Sequence, residues 1–347
     1  MSRIYFAIFC LWSAWNVTGQ KTDLSLVFDR SFEIPNSSVR AIETTGESGL
    51  WFAGSGGIYG LIRDDAFWLD SIEHEGAKPN FRSLAINGSK VFVLSIENPA
   101  LLFRLPEVPG ASAPTLVYRE DHESVFYDSM TFLNSKDGIA LGDPTDNCLS
   151  LLMTRDGGES WAKIPCDDLP ETFDGEAGFA ASDSNIATFG DSIWVATGGS
   201  KARIWRSADK GEHWETFETP MVQGKSMTGI FSLDFSGPNE GIIMGGNWED
   251  KDNGSKTKAL TRDGGKTWVL VSEGKMPGYI SCVQYLPGSE GREIMAVSTQ
   301  GVFYSGDRGL TWSKVSEEGF YSLRFENRES AWLSRNNEIV HAILVRE

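Results

Sequence analysis

Thr154-Arg155-Asp156-Gly157-Gly158-Glu159-Ser160-Trp161 is the first of four octets with one pattern, Ser/Thr-x-Asp-x-Gly-x-x-Trp. The others are Ser207-Ala208-Asp209-Lys210-Gly211-Glu212-His213-Trp214, Thr261-Arg262-Asp263-Gly264-Gly265-Lys266-Thr267-Trp268 and Ser305-Gly306-Asp307-Arg308-Gly309-Leu310-Thr311-Trp312. In each, the carboxylate and the hydroxyl can accept hydrogen bonds from the backbone N–H groups of a tight turn. Glycine tolerates the positive φ such a turn needs. The tryptophan then opens the returning strand and buries its ring between neighbouring sheets. Asp156, Asp209, Asp263 and Asp307, with Trp161, Trp214, Trp268 and Trp312, are therefore expected to build turns and core rather than to act as acids. The copies recur roughly every 50 residues, a period that marks a propeller or a solenoid.

Outward from the octets, short β-rich runs fall in a fixed order. Inner strands are expected at 230–235, 280–285 and 320–325, and second strands at 193–197 and 241–245. The third strand runs into the octet and the fourth begins at its tryptophan. The same order continues upstream without the octet: 39–42, 49–53, 58–62 and 67–72, then 81–86, 90–94, 100–105 and 114–118, with 126–132 opening the next set. The stretch 320–345 supplies only three strands. Residues 24–28 can supply the fourth, closing a ring and removing exposed sheet edges. The expected fold is all-β: a seven-bladed β-propeller of four-stranded antiparallel blades, with six blades as the alternative.

Composition narrows the function classes. The chain has 347 residues, 40% hydrophobic, with 37 glycines, enough for a sizeable core with frequent turns. A net charge of −17 repels phosphate backbones and argues against nucleic-acid binding. Arg3, an apolar run over 4–15 and small residues at Val17 and Gly19 read as an export signal spanning 1–19. That leaves 20–347 as a single domain, periplasmic or extracellular, and expected to be a monomer. The apolar run is too short to span a bilayer. Export permits disulfides. Cys148 and Cys166 lie equally far from the turn centre at Gly157, which places them opposite one another on adjacent strands, within bonding reach; Cys282 is expected as a buried thiol. The four histidines show no metal-ligand spacing, and no nucleotide fingerprint or nucleophile elbow occurs, so neither metal nor cofactor is expected.

Candidate binding residues follow from propeller geometry, in which the starts of the inner strands and the loops after the second strands meet at one mouth. These positions carry Arg40, Arg82, Asp128 and Glu176, and Asn98, Asp143, Asp146, Lys201 and Asn247. Arginines there can clamp a carboxylate; paired acids can move protons. The alternative is that these residues pair with one another and close the tunnel.

The octet is the Asp-box, or BNR, repeat, and the chain resembles the sialidase-like BNR superfamily. It looks closest to the propellers of photosystem II assembly-factor type and their exported bacterial homologues. The resemblance implies Asp-box hairpins on the outer blade edges and a noncatalytic binding or assembly role, with a protein or a small anionic or sugar ligand at the central face. Sialidases carry Phe-Arg-Ile-Pro near their start; this chain has Phe81-Arg82-Ser83-Leu84. A glycan-active hydrolase or lyase is the alternative, and an oxidoreductase stands below it.

Overall fold

The computed structural model describes residues 24–46, 49–64 and 66–346; the export-signal reading over 1–19 lies outside them. The chain forms seven antiparallel sheets arranged as the blades of a propeller. The inner strands are Val39–Thr44, Phe81–Asn87, Tyr127–Phe132, Ile186–Phe189, Thr228–Phe235, Cys282–Tyr285 and Ser322–Phe325 for blades 1 to 7. In blade 7 the outermost strand is Leu24–Glu33, which pairs antiparallel with Glu338–Arg346 in a register running from Leu24 opposite Arg346 to Glu33 opposite Glu338. First and last strands thus share one blade, as expected.

The apolar core lies between blades rather than within one. Phe52 and Ile62 of blade 1 pack with Trp332 and Ile339 of blade 7; Trp194 and Ile204 of blade 4 pack with Leu233, Phe235 and Trp268 of blade 5. Each four-stranded sheet has two apolar faces and must cover both, and a closed ring does so for every blade.

The four octets form near-identical turns. In the first, Thr154 Oγ1 donates to Asp156 Oδ1 at 2.8 Å, and Asp156 accepts the Ser160 N–H at 3.0 Å and the Ser160 hydroxyl at 2.6 Å. The Gly158 N–H donates to Thr154 Oγ1 at 2.9 Å. The other three repeat this pattern around Asp209, Asp263 and Asp307. Two consecutive residues in each turn take positive φ: Gly157 and Gly158, Lys210 and Gly211, Gly264 and Gly265, Arg308 and Gly309. The indole N–H of Trp214, Trp268 and Trp312 returns to the carbonyl three residues earlier.

The hydrogen bonds from Ser160 hold the Asp156 carboxyl down at about 2. Asp209 and Asp263 also fall to about 2, because backbone and side-chain donors outweigh the opposing effect of partial burial. A carboxylate depressed in the folded state stabilises above the unfolded value of about 3.9, and that contribution is lost as pH falls toward 2. Asp156→Asn is expected to cost roughly 1 kcal/mol at pH 5 from the weakened turn bonds, and the gap to wild type should shrink between pH 4 and pH 2. Calorimetric melts across pH 5 to 2 check this; a gap constant down to pH 2 would show that the charge of Asp156 contributes nothing.

Cys148 and Cys166 form a disulfide, with Cα atoms 5.6 Å apart, as expected. It closes just beyond the paired strands Ser150–Thr154 and Ala162–Lys163 rather than on them: Cys166 begins a short 3-10 turn, Cys166–Asp168. Cys282 is a buried free thiol.

Candidate functional site

The inner strands aim side chains at the axis through a repeated irregularity. In blades 1, 2, 3 and 5 the pairing of the inner strand with its neighbour skips one residue near its start: Arg40, Arg82, Asp128 and Phe231. A bulged residue is released from the ladder and can point where the pleat would not send it. The residues just before the inner strands of blades 6 and 7, Ser281 and Tyr321, stand at the matching positions.

Blade 4 departs from this plan. Its inner strand begins at Ile186; Glu176 instead sits in a two-residue ribbon, Glu176–Ala177, paired with Gly198–Gly199, which in turn meets Gly229 of blade 5. The connection over 164–185 is the longest between blades, and its last part, residues 180–185, runs through the central channel as a plug. The plug bonds to the inner strands of all six other blades. Arg40 donates to the Ala181 carbonyl and Arg82 to the Ala180 carbonyl, each at 3.0 Å. The Asp183 carboxylate accepts the Leu84 and Met130 N–H groups at 2.8 and 3.0 Å. Ser184 bonds Ser232, Ser182 donates to the Ser281 carbonyl, and Arg324 donates to the Asp183 carbonyl at 2.7 Å.

The plug divides the channel into two mouths. The one at the inner-strand starts holds a cavity of about 360 Å³. Arg40 and Arg82 lie at its floor. Phe126, Phe179, Phe231, Trp248 and Tyr279 line it, and Asp143 stands in its wall. Phe179 and Phe231 stack at 3.9 Å, and Tyr279 meets Phe231 and Trp248 edge-on. Arg40 also lies over the Tyr321 ring, 3.9 Å from its centroid. Among the described residues, no carboxylate comes within ion-pairing distance of Arg40 or Arg82. Burial, and next the charge of Arg40, push Arg82 down to about 10; burial lowers Arg40 as well. Two largely desolvated guanidinium groups side by side, neither in an ion pair, form a site for an anion.

Asp128 lies behind Asp143, wholly buried, and the two carboxyls converge on Gly178, whose N–H donates to Asp143 and whose Cα leaves no room for a Cβ beside Asp128. Burial, and next the neighbouring Asp143, raise Asp128 well above the ordinary carboxylate range; burial lifts Asp143 to about 6 against the Gly178 N–H that it accepts at 2.8 Å. Two carboxyls in contact share a proton, because both cannot ionise together. Gly178 is required by this approach: a Cβ there would sit 2.3 Å from Asp128 Oδ2.

The remaining sequence candidates are not part of the cavity. Glu176 is locked in a closed ion pair: Arg203 donates to both its oxygens, at 3.0 and 2.6 Å, and Thr197, Trp205 and the Phe173 N–H add three more bonds. Asn98 and Asp146 are exposed on their loops. Lys201 reaches Glu218 and the Phe173 ring, and Asn247 caps its own loop by accepting the Glu249 N–H. The aromatic lining and the plug were not among the sequence expectations. The bulge positions carry the readable signal: an apolar residue, the bulged one, then a small one, as in Val39-Arg40-Ala41, Phe81-Arg82-Ser83, Tyr127-Asp128-Ser129 and Ile230-Phe231-Ser232.

Fold and site together define a seven-bladed propeller with a sealed axis and a cationic, aromatic-walled cavity on one face. No protein-family model matches the chain, and no curated protein matches it in sequence. Among solved structures it is similar to YCF48 bound to D1 peptide, with a TM-score of 0.63 and 13% identity over 90% of this chain and 96% of that one. YCF48 from Cyanidioschyzon merolae gives 0.61 and 14% over 90% and 98%. The WD40 β-propeller domain of Doa1 gives 0.62 and 12% over 92% and 97%. At these identities the likeness concerns the fold.

Proposed function

We propose that this chain is a noncatalytic binding propeller that captures a segment of a partner protein by an acidic group seated between Arg40 and Arg82. The observation that carries this reading is the pair of arginines at the floor of an open cavity, each bonded to a plug carbonyl and neither paired with a carboxylate. The apolar walls suit a hydrophobic side chain beside that group, and the size suits one or two residues rather than a folded domain. The structural neighbour bound to a peptide supports a polypeptide ligand. The Asp-box turns support placement among the BNR propellers. The disulfide supports an exported protein; among the described residues, no helix is long and apolar enough to cross a membrane. The glycan-active alternative relied on Asp128 and Glu176 as acids at the mouth, whereas Glu176 is held by Arg203 and Asp128 is sealed behind Asp143.

The test is a peptide array in which each sequence is presented with a free and with an amidated C-terminus. A subset of free-carboxylate peptides is expected to bind, and Arg82→Ala should weaken them by roughly 30-fold or more, the usual cost of truncating one partner of a buried charge contact. Equal binding by amidated peptides that hold no Asp or Glu, or by Arg82→Ala, would refute the reading.

A further inference from the structure

Beneath the arginines lies a second charged element that a simple anion receptor does not need. Asp143 stands in the cavity wall and Asp128 directly behind it, both carboxyls converging on Gly178. Neither oxygen of the Asp128 carboxyl has a hydrogen-bond partner, although the residue is fully buried. Gly178, just before the plug, contributes its N–H to Asp143; the plug contributes the Asn185 amide near Asp128 and one carboxyl, Asp183, which is taken up by the Leu84 and Met130 N–H groups. Blade 2 contributes Arg82, with Glu97 beside it. Arg40, Tyr279 and Tyr321 from blades 1, 6 and 7 complete the charged and titratable groups around this floor.

We propose that anion binding in this cavity is proton-linked: when an anion seats between Arg40 and Arg82, the Asp128–Asp143 pair takes up one proton from solvent. This rests on the reading of the cavity as an anion site and adds its regulation. Before an anion binds, two guanidinium charges face the exposed Glu97 and the single negative charge left on a pair that shares a proton. An arriving anion repels that charge through a wall with little water, so the protonated, neutral pair is favoured. By linkage, the same coupling tightens anion binding as the medium acidifies. Asp143, which burial lifts to about 6 beside Asp128, lies within range of such a change. A propeller built this way grips its partner more firmly in an acidic compartment and releases it toward neutrality.

The test uses the full chain and benzenesulfonate, whose aromatic ring suits the walls and whose charge does not change between pH 5 and 8. Titration calorimetry is expected to show roughly tenfold tighter binding at pH 5 than at pH 8, the ratio for a bound-state shift of about one pKa unit. Buffers of different ionisation enthalpy should register uptake of about half a proton near pH 6.5, the maximum for such a shift. Asp143→Asn, which cannot ionise, should bind with the same affinity at both pH values. Wild-type binding that is flat with pH, with no proton uptake, would overturn the linkage while leaving the anion site standing. An Asp143→Asn profile as steep as wild type would overturn the assignment to this pair. Absence of binding at both pH values, with the fold intact by circular dichroism, would overturn the anion site and the linkage together.

Discussion

Arg203→Ala is expected to lower the unfolding free energy by about 3–5 kcal/mol, the usual cost of removing one partner of a buried ion pair. The side chains of Glu176 and Arg203 are 0% and 7% exposed, so the stranded carboxylate cannot recover its solvation from water. Thr197, Trp205 and the Phe173 N–H would remain on Glu176 and would soften the loss without removing it. Arg203 also lies against the rings of Phe173 and Trp205, 4.8 and 5.2 Å from their centroids, so packing is lost along with charge. Urea unfolding gives the number. Arg335→Ala, which breaks half-exposed pairs with Glu318 and Glu338, should cost under about 1 kcal/mol by the same assay. A loss for Arg203→Ala as small as that would mean that the ribbon opens and hydrates Glu176.

The second large effect is expected at Trp194. Its indole stacks on Phe235 of the next blade with ring centroids 3.7 Å apart and planes 12° from parallel. Its N–H donates to the Gly264 carbonyl of that blade's octet turn at 2.7 Å, and Gly265 comes so close that a Cβ there would lie 2.9 Å from the indole. Trp194→Ala empties a wholly buried site and should cost about 4–5 kcal/mol. Trp194→Phe keeps most of the ring contact and gives up the hydrogen bond, for about 1–2 kcal/mol. Trp268→Ala, whose ring is 8% exposed at the blade edge, should fall at or below the Trp194→Ala value. Equal losses for the Ala and Phe variants would place the energy in the hydrogen bond rather than in the ring.

The parts legible in the sequence are those whose causes lie close together along the chain. Each octet turn is completed within eight residues by its own hydroxyl, carboxylate and glycine, so Thr154 to Trp161 announces itself without reference to the rest of the molecule. The disulfide was readable for the same reason: one turn sets the register of both cysteines. Blades 1 and 2, which lack the octet, were readable from alternating β-rich runs, and the return of residues 24–33 to blade 7 from an unfilled fourth position. Arg40 and Arg82 were found because position in a blade predicts where a side chain points. Glu176 was misplaced because the strand expected there is two residues of ribbon, and the true inner strand begins ten residues on, at Ile186. Residues 180–185 have no periodicity to read; their conformation comes from partners on six other blades, all distant in sequence. The aromatic walls were hidden likewise, since Phe179, Trp248 and Tyr279 meet only when loops of three blades converge.

Ring-shaped repeat proteins are held mainly by contacts between adjacent units, so melting can begin at one unit and spread. Here the axial segment bonds to every unit, its own included through the Ala196 N–H on the Asn185 carbonyl, as spokes to a hub. A blade that lifts away breaks its spoke and loosens the hub that the other blades share. Local fraying is thereby penalised by the whole ring, and the molecule gains the all-or-none cohesion of a much less modular protein.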